Sequence, residues 1–251
     1  MVRPKPDTDL LQFLKHVSLD CVVFGFHDNQ LKILLTRIKN TELWALPGGF
    51  VRKEESLESA ANRVLNERTG LDNIFLKPFN VFGDPGRSEK NPIANEIIIS
   101  GVNNGLEWFN QRFISVGFYA LVDFSKAVPS PDIFSDLCIW KNLNETSSLI
   151  LDHNKILNSA LETLRLQVNY QPLGYNLLPE KFTMPELQNL YETILGKDLD
   201  RRNFQRRMLS FKILNKLEER KTGGAHKAPF LYEFNLQNYR QALQNGLYGG
   251  W

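Results

Sequence analysis

Two stretches of this sequence have the residue types and spacing to do chemistry. The first runs Gly48-Gly49-Phe50-Val51-Arg52-Lys53-Glu54-Glu55 and on through Ser56 to Gly70. Glu54, Glu55 and Glu67 offer hard oxygen donors, the kind that hold Mg²⁺ or Mn²⁺. A metal held so neutralises a diphosphate and activates water. The second stretch is Arg201-Arg202-Asn203-Phe204-Gln205-Arg206-Arg207. Guanidinium and amide side chains of this kind contact phosphates and read guanine or adenine edges in the major groove.

The first stretch needs a turn and a helix to position it. Ser56 can cap a helix, because its hydroxyl accepts an orphan N–H of the first turn. Leu57, Ala60, Ala61, Val64 and Leu65 then fall on one apolar stripe. Gly70 stands where a left-handed C-terminal residue is wanted. This layout resembles the Nudix box: Gly49, Glu55, Arg63, Glu67, Gly70 and Leu71 fall on its pattern. Val64 and Arg68 do not, standing where that family has glutamates. Positions 64, 67 and 68 share a helix face, and here that face presents Val, Glu and Arg. Only Glu67 can ligate, and a guanidinium beside it repels a dication. The resemblance therefore implies a scaffold without catalytic residues or bound metal, whose residual box residues are Gly49, Glu55, Arg63, Glu67 and Gly70. The alternative is an active Nudix hydrolase that cleaves a nucleoside diphosphate derivative such as ADP-ribose with Mg²⁺.

The second stretch sits within a longer pattern. Thr183-Met184-Pro185-Glu186 is a capping box with proline in the first turn. Its helix continues through Leu187, Leu190, Tyr191, Ile194 and Leu195 to Gly196. Asp200 caps the basic helix, whose apolar side is Phe204, Met208 and Phe211. Two helices joined by a short turn suggest helix-turn-helix. Strand-like segments Leu214 to Arg220 and Phe230 to Phe234 flank a glycine loop and form a wing. Arg201, Arg202, Asn203, Gln205, Arg206, Lys221, His226 and Lys227 are the candidate DNA contacts. A module that binds protein through the same elements is a third reading.

Charge agrees with this division. The net charge of +2 conceals +4 on residues 170–251 and −2 on the rest. A small basic module beside a mildly acidic one suggests a polyanion-binding domain next to a different function. At 251 residues and 42% hydrophobic, the chain can bury one large or two modest cores. Cys21 and Cys138 lie in apolar runs without metal-ligand spacing, which fits buried free thiols of a reducing cytoplasm. No signal peptide is read at the N-terminus, and no apolar run approaches the ~18 residues of a membrane span. A cytoplasmic location is therefore expected.

Between the two stretches the elements alternate. Leu10 to His16 reads as a lead-in helix or arm. Val17 to Phe26 and Leu31 to Arg37 read as a hairpin. Phe75 to Phe82, Arg112 to Val122 and Cys138 to Trp140 are further strands. Asp152 can cap a last helix from about residue 153 to 167. This order suits a mixed sheet with helices on both faces, an α+β chain with a Nudix-type α/β/α sandwich followed by a winged helix-turn-helix domain. The expected domains are 1–169 and 170–251, joined at Tyr170 to Pro179. Residues 88–111 read as an insertion, either a surface loop or a lid or dimer contact that shelters Trp108 and Phe109.

A degenerate Nudix domain followed by a winged helix resembles the NrtR-type Nudix-related transcriptional regulators. Gly49-Phe50-Val51, Arg63-Val64-Leu65, Thr69-Gly70-Leu71, Gly174 to Pro179 and Arg202-Asn203-Phe204 bring it near the arabinose-responsive AraR-like branch from Bacteroidetes. The resemblance implies a homodimer on a double-stranded DNA operator, modulated by a small effector. Members sense ADP-ribose or sugars such as L-arabinose. Without a metal face a neutral sugar is favoured, although Arg37, Arg52, Lys53 and Arg87 could take phosphates. Hydroxyls would pair with Glu55, Asp84 and Arg87, and a ring would stack on Trp44 or Phe50. Arg37, Trp44, Phe50, Glu55, Asp84 and Arg87 are thus the candidate effector contacts.

Overall fold

A computed structural model describes residues 10–72, 74–89, 91–92, 105–146, 148–221 and 228–247. Contacts divide the chain into two compact units: Met1–Phe24 with Lys32–Ala160, and Gly25–Leu31 with Leu161–Trp251. Among the described residues no helix is long and apolar enough to cross a membrane.

The first unit is built on β1 (Phe13–His27), β2 (Gln30–Ile38), β3 (Trp44–Ala45), β4 (Gly48–Arg52), β5 (Phe75–Phe82), β6 (Ile114–Val122) and β7 (Ser135–Asn142). They form one seven-stranded sheet of order β3-β2-β1-β6-β5, with β4 added to β1 and β7 to β2. Asp28 and Asn29 both have positive φ, as a two-residue hairpin turn requires. The expected lead-in arm is only a short 3-10 turn at Leu10–Gln12. The strand begins at Phe13, and its register against β4 shifts between Phe13 and Ser18. His16, at φ 64, lies within that irregularity.

The box helix, α1 (Leu57–Thr69), starts as expected: the Ser56 side chain accepts from the Ser59 N–H, and Gly70 closes the helix at φ 69. Its inner face is Ala60, Ala61, Val64 and Leu65. Leu57 is 40% exposed and drops out of the expected stripe. These side chains pack against Leu19, Cys21 and Val23 of β1, Leu34 of β2, and Phe118, Ala120 and Val122 of β6. Alternation puts Asp20, Val22, Phe24, Ile33, Leu35, Tyr119 and Leu121 on the opposite face, also buried. Asp20 there meets His153 at the start of the last helix of this region, which runs from His153 to Tyr170. Of the insertion, a short helix α2 (Gly105–Phe109) is described, and the long helix is α3. Trp108 and Phe109 are buried with Leu10, Phe13 and Phe113, and Phe50 and Phe134 pack against them.

The second unit contains β8 (Phe182–Thr183), α4 (Met184–Leu195), α5 (Arg201–Ser210), β9 (Leu214–Arg220), β10 (Phe230–Phe234) and α6 (Leu236–Asn245). The small sheet runs β8-β10-β9. Both bonds of the Thr183/Glu186 capping box form. Asp200 accepts from the Asn203 N–H at the start of α5. Phe204 and Met208 are buried as expected, and Tyr191 meets Phe204 edge-on at 5.4 Å. Phe211 is only half-buried, and Ile213 fills the core beside it. The helix α6 was not anticipated. Its signals were Asn235 as N-cap and Leu236, Tyr239 and Leu243 at helical spacing.

Close approach, rather than unusual φ, fixes the start of the box. A Cβ on Gly48 would lie 2.8 Å from the Leu19 carbonyl oxygen and 3.1 Å from Asp20 Oδ1. Backbone cannot yield cheaply there, so Gly48→Ala should destabilise the first unit by about 1–3 kcal/mol. Urea denaturation measures this, and an unchanged midpoint would contradict the packing described.

Candidate functional site

The first unit encloses a cavity of about 1180 Å³ between β1, β4, α1 and the segment from Ser130 to Ser135. That volume lies just above the range of about 300–1,000 Å³ usual for small-molecule sites. Its apolar wall is aromatic: Phe13, Phe50, Phe109, Phe113 and Phe134 all line it. Phe50 sits among the others, with ring centroids 5.8 Å from Phe13, 5.4 Å from Phe109 and 5.3 Å from Phe113.

The box residues turn inward on one another. Arg63 forks onto Glu55, donating from Nη2 to Oε1 at 2.6 Å and from Nε to Oε2 at 3.1 Å. The same Nη2 donates to the Phe50 carbonyl, and the Arg52 N–H donates to Glu55 at 2.7 Å. Partial burial pushes the Glu55 carboxyl up, but these donors outweigh it and hold it below its ordinary value. With three donors on it, Glu55 is committed chiefly to Arg63 and the Arg52 N–H. Val64 is 1% exposed and lies against Gly49, whose added Cβ would come within 2.8 Å of it. Glu67 lies between two guanidiniums, 3.6 Å from Arg63 and 3.8 Å from Arg68. Arg68 is buried at 6% exposure and donates from Nη2 to Asp132 Oδ2 at 2.9 Å. The Ser130 and Val128 N–H groups bond the Arg68 and Thr69 carbonyls, which fastens the 128–132 segment over the end of α1. Among the described residues no group of three His, Cys, Asp or Glu could hold a metal ion. The side chains present do not form a divalent-cation site: of the possible ligands, Glu55 and Glu67 are engaged by arginine.

Opposite the box lies a buried polar cluster. Asp20 Oδ2 accepts from Ser115 Oγ at 2.5 Å and from Arg87 Nη2 at 3.2 Å. Arg87 also forks onto Asp152, with both bonds at 3.0 Å, and donates to the Phe113 carbonyl. The Leu46 N–H donates to His153 Nδ1 at 3.0 Å, so neutral His153 carries its proton on Nε2, 3.4 Å from Asp20 Oδ1. Asp20, Arg87 and His153 all line the cavity. Burial pushes the His153 pKa below its ordinary value, against the pull of Asp20 and Asp152.

Of the six expected effector contacts, the cavity brings together two, Phe50 and Arg87. The other four lie elsewhere for identifiable reasons. Arg37 forks onto Asp136 at the surface. Trp44 is buried, with Lys141 Nζ 3.5 Å from its ring centroid. Glu55 is taken by Arg63, and exposed Asp84 pairs with Lys155. Sequence reasoning missed Asp20, Ser115 and His153, and read Asp152 as a helix cap rather than the partner of Arg87. One signal was available: Asp20 interrupts the apolar run from Leu19 to Phe24, and a buried carboxylate there needs partners. Cys21 and Cys138 are buried free thiols, and burial pushes Cys138 up to about 11.

In the second unit, Arg201, Arg202, Asn203 and Arg206 are exposed on α5 and Gln205 is half-exposed. Arg206 donates to Asn203 Oδ1 at 3.0 Å, which aligns the two side chains. The helix thus presents guanidinium and amide groups outward and anchors itself through Phe204 and Met208. Lys221, at the start of the wing loop, pairs with Glu186, and His226 and Lys227 lie outside the described residues. Along the wing strand, Lys216 and Arg220 lie over the Phe230 ring, 3.6 Å and 3.8 Å from its centroid.

The depressed pKa of buried His153 gives a pH prediction. The unfolded chain binds a proton near 6.5 that the folded chain refuses. Stability should therefore fall as pH drops below about 6.5 and be independent of this group above it. His153→Gln should flatten that part of the stability curve in urea titrations at stepped pH. An identical slope in the variant would contradict a neutral, buried His153.

Known proteins share both parts of this arrangement. The NUDIX domain family matches residues 14–162, and the NrtR DNA-binding winged helix domain matches residues 174–234. Over 230 residues, 89% of this chain and 83% of the relative, the sequence is 32% identical to the ADPR responsive transcriptional repressor NtrR of Acinetobacter baylyi. It is 29% identical over 138 residues, 53% of this chain and 82% of the relative, to the ADP-ribose pyrophosphatase of Methanocaldococcus jannaschii. The crystal structure of Shewanella oneidensis NrtR complexed with a 27mer DNA superposes with a TM-score of 0.74 at 25% identity, covering 94% of this chain and all of that one. A Nudix fold with its metal face rebuilt in arginine, followed by a winged helix with an exposed basic α5, places this chain in the NrtR family of Nudix-related transcriptional regulators.

Proposed function

We propose that this protein is a transcriptional repressor that binds operator DNA as a homodimer and responds to ADP-ribose. The sensing domain is residues 1–169 and the DNA-binding domain residues 170–251. The observation that carries the reading is the box itself: its cavity is intact while its metal ligands are paired with arginine, which supports retained binding without hydrolysis. The name of the Acinetobacter relative supports ADP-ribose as the effector. A neutral sugar such as L-arabinose, favoured by the sequence alone, has no counterpart among the relatives described above. Arginine donors at the cavity wall also suit an anion better than a neutral ring.

DNA binding is carried by α5. Arg201, Arg202, Asn203, Gln205 and Arg206 supply phosphate and base contacts, and Lys221 a further cation in the wing. His226 and Lys227 extend that loop in sequence. Homodimerisation is supported by the length of DNA crystallised with the Shewanella protein. A 27mer accommodates two half-sites one helical turn apart.

A mobility-shift assay on the DNA upstream of the protein's own gene tests the reading. Binding should weaken steeply with salt, because lysine and arginine contacts release counterions. ADP-ribose should release the DNA. Arg202→Ala should weaken binding about tenfold while leaving the melting temperature unchanged. Salt-insensitive binding, or wild-type affinity in Arg202→Ala, would contradict the assignment of α5.

A further inference from the structure

We propose that Gln188 and Glu192 are positioning residues for operator readout: together they clamp the backbone of Leu199 and so fix how the exposed face of α5 is aimed. The proposal rests on the DNA-binding reading of α5 given above and names the groups that orient it.

Three observations carry it. Gln188 and Glu192 are half-buried and stand four residues apart on α4, so their side chains share a face. Gln188 Nε2 donates to Glu192 Oε1 and to the Leu199 carbonyl, both at 2.8 Å. Glu192 Oε1 in turn accepts from the Leu199 N–H at 2.9 Å. The N–H and the C=O of one turn residue are thus both held by side chains of the preceding helix. Second, Glu192 also ends that helix: its backbone carbonyl accepts from the Gly196 N–H at 2.8 Å, and Gly196 takes a left-handed φ of 68. The turn from Gly196 to Leu199 is therefore gathered on a single residue. Third, the clamp lies directly ahead of the basic helix. Asp200 follows Leu199 and caps α5, and Arg201 and Arg202 come next.

Two kinds of contact join α4 to α5, and they do different things. Tyr191 meets Phe204 with 5.4 Å between ring centroids. Apolar burial of this kind holds the helices together but is non-directional. Hydrogen bonds weaken steeply away from their axis, so the bonds at Leu199 set the direction in which α5 leaves the turn. The two contributions to DNA binding respond differently to that direction. Attraction between cations and a repeating phosphate backbone tolerates a small change in aim. Paired bonds to a base edge do not, because both must be made at once. Loss of the clamp should cost discrimination between sequences before it costs affinity for DNA in general.

Competition mobility shifts with the full-length protein test this. They read its affinity for the DNA upstream of its own gene and for a scrambled duplex of equal length. Glu192→Leu should lower the ratio of the two affinities about tenfold, with the scrambled affinity and its salt dependence unchanged. Gln188→Leu should shift the ratio in the same direction. Glu192→Gln keeps an acceptor oxygen on the same stem and should retain the wild-type ratio. Hydrogen exchange at the Leu199 amide should speed up in Glu192→Leu and stay slow in Glu192→Gln, and melting temperatures are measured alongside. If Glu192→Leu does not fold, Gln188→Leu decides, because it leaves the bond to the Leu199 N–H in place. An unchanged ratio in the folded leucine variants would overturn the proposal. So would an equal loss of both affinities, which marks a structural role only, or a ratio lost as fully in Glu192→Gln as in Glu192→Leu. Wild-type protein that does not distinguish the upstream DNA from the scrambled duplex would overturn the DNA-binding reading, and the proposal with it.

Discussion

The Glu55–Arg63 clamp is the interaction on which the first unit depends. One carboxylate collects the forked Arg63 and the Arg52 N–H, and Arg63 also reaches the Phe50 carbonyl. Strand β4, the charged loop and α1 are thereby held as one piece. Everything at the cavity is referred to that piece. Phe50 is aimed at the aromatic wall, Val64 seals the core against Gly49, and Arg68 is presented at the far end of the helix. A pair of half-buried ions with this geometry is worth more than a typical surface pair, because three hydrogen bonds converge on a single acceptor.

Val64 and Arg68 stand on one face of the box helix and leave it without the carboxylates that a divalent cation would need there. Valine at position 64 joins the apolar core with Ala60, Ala61 and Leu65. Arginine at position 68 binds Asp132 and crowds Glu67. The first removes an oxygen ligand and adds packing. The second places a fixed positive charge beside Glu67 and Asp132. The cavity is walled by aromatic side chains and by the polar cluster of Asp20, Arg87 and His153. The two charges of that cluster, Asp20 and Arg87, lie out of water, and each has its partners, as burial demands.

The box, both helix caps and the winged-helix pattern were legible in the sequence because they are local. Ser56, Gly70, Thr183, Glu186 and Asp200 each act within one helical turn, and the period of apolar residues does the rest. The effector contacts were not legible to the same degree. Arg37 and Asp84 look like free polar residues in a list, yet Asp136 and Lys155, about a hundred and about seventy positions away, claim them. Trp44 looked available to a ligand but is buried. Conversely, Asp20 and His153 are 133 positions apart and meet only because β1 and the start of α3 are adjacent in space. Pairings at that separation are set by topology, which periodicity does not encode. The aromatic wall has the same origin: Phe13, Phe50, the Phe109/Phe113 pair and Phe134 come from four separate segments.

The central claim is that the cavity binds its ligand without consuming it. The most direct measurement incubates the protein with its operator DNA, ADP-ribose and Mg²⁺, then follows DNA release and nucleotide composition in the same sample. The account predicts that DNA is released and that ADP-ribose is recovered intact, with no AMP formed. Release that tracks the appearance of AMP, or AMP formed without release, would contradict it.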